Sequence, residues 1–361
     1  HLELDESERI AAVREILGLA GVEAEIRGGS PLAAALDFQA TWQSPCVSPN
    51  WFAWAPLVRR ARDDGVVTLL DGEGGDELFG CAPYLIADRV RRGRLRSATD
   101  LARAIPGMGP SPSRRLVRRA LLQFGARPAL PAGVHSLLRS TRDGERRTPH
   151  WLTAGLGAAH HADDDPWAWK RTGGPRWWAA KSTDLTAGPE SLGAADQLRR
   201  EAASANLRFA HPYRDPELVE LALALPPELA FDARLDRRLA RDAVRGLLPE
   251  VVRGSDRKPV FNQFFSDALE GDLRFVRRLV DAPNAAIRAY VDPVALRSAV
   301  LEVEPARRGP GWPLDVWRVA TLECWLRGEA ERGAPRELAA RLEADRDAPS
   351  DRGPELRTVP A

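Results

Sequence analysis

Lysine is nearly absent from this 361-residue sequence. Lysine and arginine together number 52, and only Lys170, Lys181 and Lys258 are lysines, which leaves 49 arginines. Wherever any cation would serve, this chain uses arginine. A lysine differs from an arginine in presenting a compact ammonium point charge instead of a planar fork of donors. Each of the three lysines is therefore a candidate for a task that requires such a point charge.

Cysteine and long apolar runs are also scarce. Cys46, Cys81 and Cys324 are too few and too scattered for a disulfide framework or a CxxC metal site, so we expect buried free thiols. No run approaches the roughly 20 apolar residues of a membrane span, and no signal-peptide pattern opens the chain. These absences argue against secreted and membrane-spanning proteins, and we expect a cytoplasmic protein with no membrane partner.

The sequence has almost no net charge, +1 at pH 7. This balance argues against a protein whose main task is to hold polyanions. One segment departs from it: between Arg89 and Arg147 there are fifteen arginines and only three acids. The segment lacks the interleaved aromatic residues that stack on bases. We interpret it as a solvated helical face and expect no nucleic-acid partner; a dedicated anionic or peptide partner is the alternative.

Hydrophobic periodicity predicts an α/β fold. Helices are expected at 6–19 and 53–62, each followed by a strand, at 22–26 and 66–70. This alternation is typical of an open parallel sheet, and the strand at 66–70 should be buried. After about Tyr84 the pattern becomes largely helical, with helices predicted at 217–225 and 235–248. We divide the chain into an α/β nucleotide-binding part at 1–85, a mostly helical part at 86–330, and a disordered tail at 331–361 after a short helix at 337–342.

The most informative run is D-G-E-G-G-D-E-L-F-G at 71–80, directly after the strand predicted at 66–70. Its glycines let the backbone turn sharply and approach a ligand closely. Glu73 and Asp76 are thereby held between the carboxyl end of a strand and the start of a helix, where a nucleotide phosphate and its Mg²⁺ would bind. The alternative is a tight turn in which Asp76 and Glu77 only complement the helix dipole.

These ten residues resemble, almost letter for letter, the S/D-G-E-G-x-D-E-hydrophobic-F-G signature of the asparagine-synthetase family. The run H-P-Y-R-D at 211–215, with the L-P-P-E-L run at 225–229, is similar to the family's second conserved segment. The L-L-P-E run at 247–250, followed by Arg257 and Lys258, resembles a third. The resemblance covers about residues 5–330. It implies an open parallel sheet of the adenine nucleotide α-hydrolase-like (PP-loop) type, with a largely helical second half.

The resemblance also implies a chemistry: an ATP-dependent, AMP-forming ligase that activates a carboxylate as an acyl-adenylate for attack by an amine. Asp76 matches the family's Mg²⁺–pyrophosphate aspartate, and Glu73 matches the glutamate that takes a proton from the amine. Lys258 matches the lysine that neutralises the phosphates, so it is both a catalytic and a cofactor-binding candidate. Asp71, Gly72 and Gly74 are the remaining nucleotide-binding candidates. The expected cofactors are ATP and Mg²⁺, and Glu73, Asp76 and Lys258 should converge on one cleft.

One signature of the family, an S-G-G-x-D-S loop that wraps the ATP pyrophosphate, is missing from the 361 residues. Gly28-Gly29-Ser30 is rejected as its equivalent because Pro31 follows and no aspartate stands where one is required. The chain opens on His1 and its only methionine is Met108. We therefore expect the loop upstream, in a longer gene product, and we expect these 361 residues alone not to form acyl-adenylate. A glutaminase domain upstream, or another amine donor, is the expected partner, with a small-molecule or peptide carboxylate as substrate.

Several departures bear on the substrate. Arg208 and Ala210 stand where the family usually has E-x-R, and the region between the first two blocks is longer than in an ordinary asparagine synthetase. Both favour a larger acceptor, as in the lasso-peptide macrolactam cyclases, over asparagine biosynthesis. The β-lactam synthetases carry a tyrosine where Glu73 stands and fit less well. A non-catalytic peptide- or partner-binding protein is the alternative of a different class. We interpret His160-His161 with Asp163–Asp165 as a loop without metal-ligand geometry.

Overall fold

The architecture was taken from a computed structural model, which describes residues 5–25, 29–131, 149–157, 167–187, 189–255, 262–309, 311–345 and 355–359. The described residues include these α-helices, in chain order: α1 (Ser7–Leu17), α2 (Pro31–Trp42), α3 (Trp51–Asp63), α4 (Gly75–Phe79), α5 (Leu85–Arg91), α6 (Leu95–Arg103), α7 (Arg114–Ala120), α8 (Arg127–Ala129), α9 (Arg176–Ala187), α10 (Pro189–Ser204), α11 (Pro216–Ala224), α12 (Arg238–Ala243), α13 (Glu250–Arg253), α14 (Asn262–Glu270), α15 (Leu273–Asp281), α16 (Pro293–Leu296), α17 (Trp312–Ala330) and α18 (Ala334–Asp345). None of the helices in these ranges is long and apolar enough to cross a membrane.

In the described ranges, four strands pair into two small sheets. β2 (Thr68–Leu70) lies parallel to β3 (Arg208–Ala210), with Leu69 opposite Phe209. β1 (Gly21–Glu25) pairs antiparallel with β4 (Glu355–Val359). The fold is mostly helical with a small parallel sheet, which is consistent with the predicted α/β class. The prediction that the first two strands share one parallel sheet is wrong, because β1 pairs with the far end of the chain.

Helices cover one face of the parallel sheet. Trp51, Ala55 and Val58 of α3 pack with residues that end α10 and with Leu69 and Phe209. The strand is shorter than the predicted 66–70, and the prediction that it is buried is wrong: Leu70 is 73% exposed. Alternation explains the difference, because successive side chains of a strand point to opposite faces and the described helices cover one of them.

A larger core lies among α2 and the helices α14–α18. α2 begins at a cap in which Ser30 Oγ accepts a hydrogen bond from Ala33 N, and Pro31 occupies the first helical position. The buried Asp272 fixes this start, because its Oδ2 accepts hydrogen bonds from Ser30 Oγ at 2.7 Å and Leu32 N at 3.3 Å. The helical second half that we predicted is confirmed.

The C-terminal segment is more ordered than expected. Instead of a short helix at 337–342 and a disordered tail, α18 runs from Ala334 to Asp345, and β4 follows at 355–359. Leu338 and Leu342 of α18 are buried in the same core as α2. The disordered-tail prediction is wrong over these residues, because apolar side chains one turn apart give α18 a face that α2 covers. The division at residues 85 and 330 stays a prediction.

A third cluster of buried residues joins α5, α6 and α7. All three cysteines are free, with Cys46 and Cys324 buried and Cys81 partly exposed.

The helix predicted at 235–248 is shortened to α12. Arg237, before the helix, and Gly246, after it, have the left-handed φ values 56° and 79°. Left-handed backbone cannot continue a right-handed helix, and Leu247 is consequently exposed instead of packed on a helical face.

Candidate functional site

The candidate site lies where the parallel strands β2 and β3 end. Asp71 follows β2 directly and His211 follows β3 directly. Because the strands are parallel neighbours, their carboxyl ends meet, and Asp71 Oδ1 lies 2.8 Å from His211 Nδ1. The Asp71 N–H donates to the carbonyl of Ala210 at 3.2 Å, which extends the pairing one residue beyond the strands. Ligands of open parallel sheets bind at this edge.

The turn after β2 is built as the sequence predicted. Asp71 Oδ1 accepts a hydrogen bond from the backbone N–H of Glu73 at 3.1 Å, and α4 begins at Gly75. Gly74 has φ +91°, a left-handed conformation, and a Cβ added there would lie 2.9 Å from Arg214 Cγ. Both its conformation and its surroundings therefore require glycine. Gly72, the other nucleotide-binding glycine predicted, has open space at the corresponding position.

Glu73 is held by an arginine from the segment that follows β3. Arg214 Nη2 donates to Glu73 Oε1 at 2.9 Å, and both side chains are largely buried. Arg214 Nη1 also donates to the carbonyl of Leu185 at 3.3 Å, which anchors the guanidinium. A charge-assisted hydrogen bond between partly buried groups is stronger than one between neutral groups. The proton-accepting carboxylate predicted from the sequence is thus held in one orientation.

Asp76, the predicted metal ligand, also contacts an arginine. Arg237 Nη2 lies 2.7 Å from Asp76 Oδ1, with the Asp76 side chain 51% exposed. Among the residues that the structure describes, no group of three or more His, Cys, Asp or Glu side chains is placed to hold a metal ion. Mg²⁺ is commonly bound through one or two carboxylates plus substrate phosphates. Asp76 therefore fits the part of one carboxylate ligand, with phosphate and water oxygens completing the coordination.

Close packing holds α4 against the segment that follows β3. A Cβ at Gly75 would lie 3.0 Å from Tyr213 Cδ2, and a Cβ at Gly80 would lie 2.4 Å from the carbonyl oxygen of Asp76. Phe79 and Tyr213 meet edge to face, with ring centroids 5.5 Å apart. Gly75 therefore serves the approach of two protein segments, and Gly80 serves the tight end of α4.

One of the three lysines caps the C-terminal end of α4. Lys181 Nζ, on α9, donates to the carbonyls of Glu77, Leu78 and Gly80, each at 2.8 Å. The last carbonyls of a helix lack partners within the helix, and a cation there also complements the dipole. Burial lowers the pKa of Lys181 to about 8. Its task is to hold the loop in place.

Most of the chain matches a known protein family. The family model described as asparagine synthase matches residues 2–327. The chain belongs to the asparagine synthase family. This is a family of ATP-dependent, amide-forming carbon–nitrogen ligases, and the resemblance inferred from the three sequence blocks is confirmed. No curated protein and no solved structure matches the chain.

Some of the residues predicted for the site lie within the described part of the chain, and others lie outside it. The structure joins Glu73 and Asp76 in one loop, and it places Asp71 and Gly74 in the same turn. Lys258 lies outside the described residues, so its convergence with them stays a prediction. His160, His161 and the acids at 163–165, which we set aside as a metal site, also lie outside the described residues.

Three residues that contact the loop were not among the site residues predicted from the sequence: His211, Arg214 and Arg237. For His211 a signal existed, because it follows a short β-like run at 208–210 just as Asp71 follows β2. Arg214 lies three residues further on and could have been included with it. Arg237 gave no such signal. Its contact with Asp76 arises from the left-handed turn that starts α12.

Proposed function

We propose that this member of the asparagine synthase family activates a carboxylate as an acyl-adenylate and joins it to an amine, releasing AMP. One observation supports this most strongly. The loop at 71–80 follows β2 and lies beside the carboxyl end of β3, and an arginine contacts each of its two carboxylates, Glu73 and Asp76. Two fixed carboxylates at such an edge suit a reaction that needs both a charge-binding group and a proton acceptor. The PP-loop type of sheet belongs to this proposal.

The carboxylates take different parts in the proposed reaction. Joining a carboxylate to an amine in water requires a better leaving group, which ATP supplies as AMP. Asp76 would hold the Mg²⁺ that accompanies the pyrophosphate, and the Arg237 guanidinium beside it adds positive charge where negative charge develops. Lys258 is proposed to neutralise the phosphates. Asp71, together with His211, fixes the turn from which Glu73 and Asp76 project.

Glu73 is the proposed base. Its Oε1 accepts the hydrogen bond from Arg214, and we assign to Oε2 the proton that leaves the attacking amine. A carboxylate that is already held in place loses little freedom when the amine arrives. Protonation of Glu73 and formation of the amide bond then complete the step, with AMP leaving and taking the electrons of the acyl–oxygen bond.

Two acceptors fit the same chemistry. One is ammonia, as in asparagine synthetase, and the other is the N-terminal amine of a peptide, as in the lasso-peptide macrolactam cyclases. The long region between the run at 71–80 and β3, which contains α5–α10, supports the peptide acceptor. A non-catalytic binding protein remains the alternative of another class, and the experiment below separates it from the enzyme.

The test is AMP formation by the full-length gene product with ATP and Mg²⁺. The acyl donors are L-aspartate and, separately, a peptide with a free N-terminus and an internal glutamate. Hydroxylamine traps an acyl-adenylate as a hydroxamate, which reports activation independently of the amine. We expect Asp76→Asn to lower hydroxamate formation by about 10²–10³-fold. Glu73→Gln should leave it nearly unchanged and slow amide formation by about 10²-fold or more.

Asp100→Asn is the matched control, because Asp100 is an exposed acid of α6 whose change removes the same charge. Equal hydroxamate formation by wild type and Asp76→Asn would contradict the role of Asp76. An absence of AMP with every donor, in a protein that still binds the peptide, would favour the non-catalytic alternative.

A further inference from the structure

The near-neutral charge of the chain conceals a strong segregation. Residues 89–127 contain eleven arginines and one acid, Asp100, which gives a net charge of +10. Since the whole chain has a net charge of +1, the other residues together sum to −9. The helices α5, α6 and α7 thus form a cationic part around their own small core, on a molecule that is otherwise acidic.

Most of these arginines are exposed, and few have acidic partners. Arg89 pairs with Glu228 and Arg103 with Asp100. Within the described part of the chain, no carboxylate lies within ion-pair distance of the others. We call eight of them, from the end of α5 to the end of α7, the arginine surface: Arg91, Arg92, Arg94, Arg96, Arg114, Arg115, Arg118 and Arg119.

The charge pattern of α7 is electrostatically unfavourable for a helix. Four of its seven residues are arginines, so Arg114 repels Arg118 and Arg115 repels Arg119 at i,i+4 spacing. Arg114 and Arg115 also occupy the first turn, where the helix dipole favours acids, and the helix contains none. The cap at Ser113 and burial of Val117 and Ala120 maintain the helix despite this. Sequences that break local rules in this way commonly do so at functional sites.

The neighbouring apolar side chains indicate the kind of ligand. Leu95 of α6, Leu116 of α7 and Leu122, which follows α7 in the chain, are exposed large hydrophobic residues. The aromatic residue of the segment 85–127, Phe124, packs against the core of α5, α6 and α7 instead of facing solvent. A nucleic-acid surface needs exposed rings for base stacking. Arginines beside leucines instead suit a chain of carboxylates and apolar side chains, because the guanidinium fork binds a carboxylate through two parallel hydrogen bonds.

We propose that the arginine surface binds an acidic peptide segment in which Asp or Glu residues are interspersed with apolar residues. Hydrogen bonds link the helices that carry this surface to the candidate site. Asp88 of α5 accepts hydrogen bonds from the backbone N–H groups of Arg176 and Trp177 at the start of α9. Lys181, on the same helix, holds the end of α4. The proposal does not rest on the amide-forming reaction, since the binding is measured without ATP.

The test is fluorescence anisotropy with a fluorescein-labelled peptide of repeated Glu-Glu-Leu, using repeats of Gln-Gln-Leu and Lys-Lys-Leu as controls. We expect the wild-type protein to bind the acidic peptide only, and added salt to weaken the binding. The variant R114Q/R115Q/R118Q/R119Q should bind at least about tenfold more weakly, because it removes four charge-assisted contacts. The control variant R318Q/R332Q/R336Q/R341Q removes the same charge from other exposed positions and should bind like the wild type.

Circular dichroism confirms that both variants fold; R91Q/R92Q, at the end of α5, replaces the first variant if it does not. Three outcomes would overturn the proposal. They are no binding by the wild type, equal loss in the control variant, and tighter competition by an oligo-dT strand or by phosphatidylserine vesicles than by unlabelled acidic peptide. None of them bears on AMP formation, so failure here is distinct from failure of the proposed function.

Discussion

At the scale of single residues, Arg214 has the clearest link to the candidate chemistry. It joins Glu73 to the carbonyl of Leu185 and lies against Gly74, so one side chain fixes both the carboxylate and the turn. The sequence run that contains Arg214 resembles a family segment, yet nothing in that run shows that its guanidinium reaches Glu73. We infer that Arg214 is a positioning residue for Glu73.

Replacing Arg214 by alanine should lower amide formation by up to about 10²-fold, because Glu73 loses the contact that orients it. Hydroxamate formation should change much less. Arg214→Lys should restore part of the lost rate, since a lysine retains the charge, but its single ammonium does not reproduce the two Nη groups that bind Glu73 Oε1 and the Leu185 carbonyl together. Arg208→Ala removes an exposed arginine of β3 and is the control. Equal losses in hydroxamate and amide would show that Arg214 acts on the whole site and not on Glu73.

Glu201 makes the protein's stability depend on pH. Only 7% of this residue is exposed. Burial, and then the nearby Asp37, raise its pKa from 4.5 to about 8. A folded-state pKa above the unfolded value means that the folded protein binds more protons between these two pH values. Stability from this group is therefore present below about pH 4.5 and is lost as the pH rises through about 8.

We expect Glu201→Gln to remove this component. From about pH 5 to about pH 8 the wild-type free energy of unfolding should fall relative to that of the variant, with a limiting slope of about 1.4 kcal/mol per pH unit. Urea denaturation at several pH values measures it. Glu220→Gln, at an exposed position of α11, should run parallel to the wild type. A constant difference between wild type and Glu201→Gln at all pH values would show that Glu201 is not protonated in the folded state.

At the scale of elements, the arrangement at the end of β2 depends on a helix of only five residues. α4 is too short to be stable by itself, and it is held by the packing of Tyr213 on one side and Lys181 at its end. Three carbonyls converge on the Lys181 ammonium, a geometry that suits a point charge. The same rule applies at Lys170, whose Nζ donates to the carbonyls of Arg127 and Leu130 at the end of α8.

Lys181→Met should reduce the free energy of unfolding by about 1–3 kcal/mol, because carbonyls at the end of α4 lose their donors. Lys181→Arg should not restore it, since a planar fork cannot meet three acceptors around one point. Urea denaturation gives the stability of both variants, and Arg103→Met, at an exposed position of α6, gives the effect of an uninvolved cation. Full rescue by arginine would show that charge alone matters at this position.

At the scale of the whole molecule, the C-terminal segment completes the larger core. Leu342 is fully buried, and its core also contains residues of α2, more than 300 positions earlier in the chain. β4 pairs with β1 near the start of the described residues. The C-terminal part of the described chain thus contacts the N-terminal part twice, through α18 on α2 and through β4 beside β1. The segment predicted as a tail therefore contributes to stability.

Leu342→Ala should destabilise the protein by about 2–5 kcal/mol, the usual cost of removing a large buried side chain and leaving a cavity. Arg341→Ala, at the exposed neighbouring position, should stay within about 0.5 kcal/mol of the wild type. Thermal and urea denaturation measure both. If Leu342→Ala unfolds like the wild type, α18 does not belong to the core.

The sequence alone determined the family and the turn at 71–80. Ten consecutive residues after a β-like run define a turn, and a turn is set by local backbone preferences that neighbouring residues specify. Free thiols and the helical second half follow from composition and periodicity in the same way. These predictions succeeded because each depends on residues close together in the chain.

Tertiary structure decided what depends on distant residues. The partners of Glu73 and Asp76 are Arg214 and Arg237, which lie well over 100 positions away, and β1 found its partner at the other end of the chain. The shortening of the helix predicted at 235–248 has the same origin, since the turn that places Arg237 beside Asp76 interrupts an otherwise helical pattern. Pairing and ion-pair contacts are chosen by packing over the whole fold, and a local pattern does not encode which distant residue arrives.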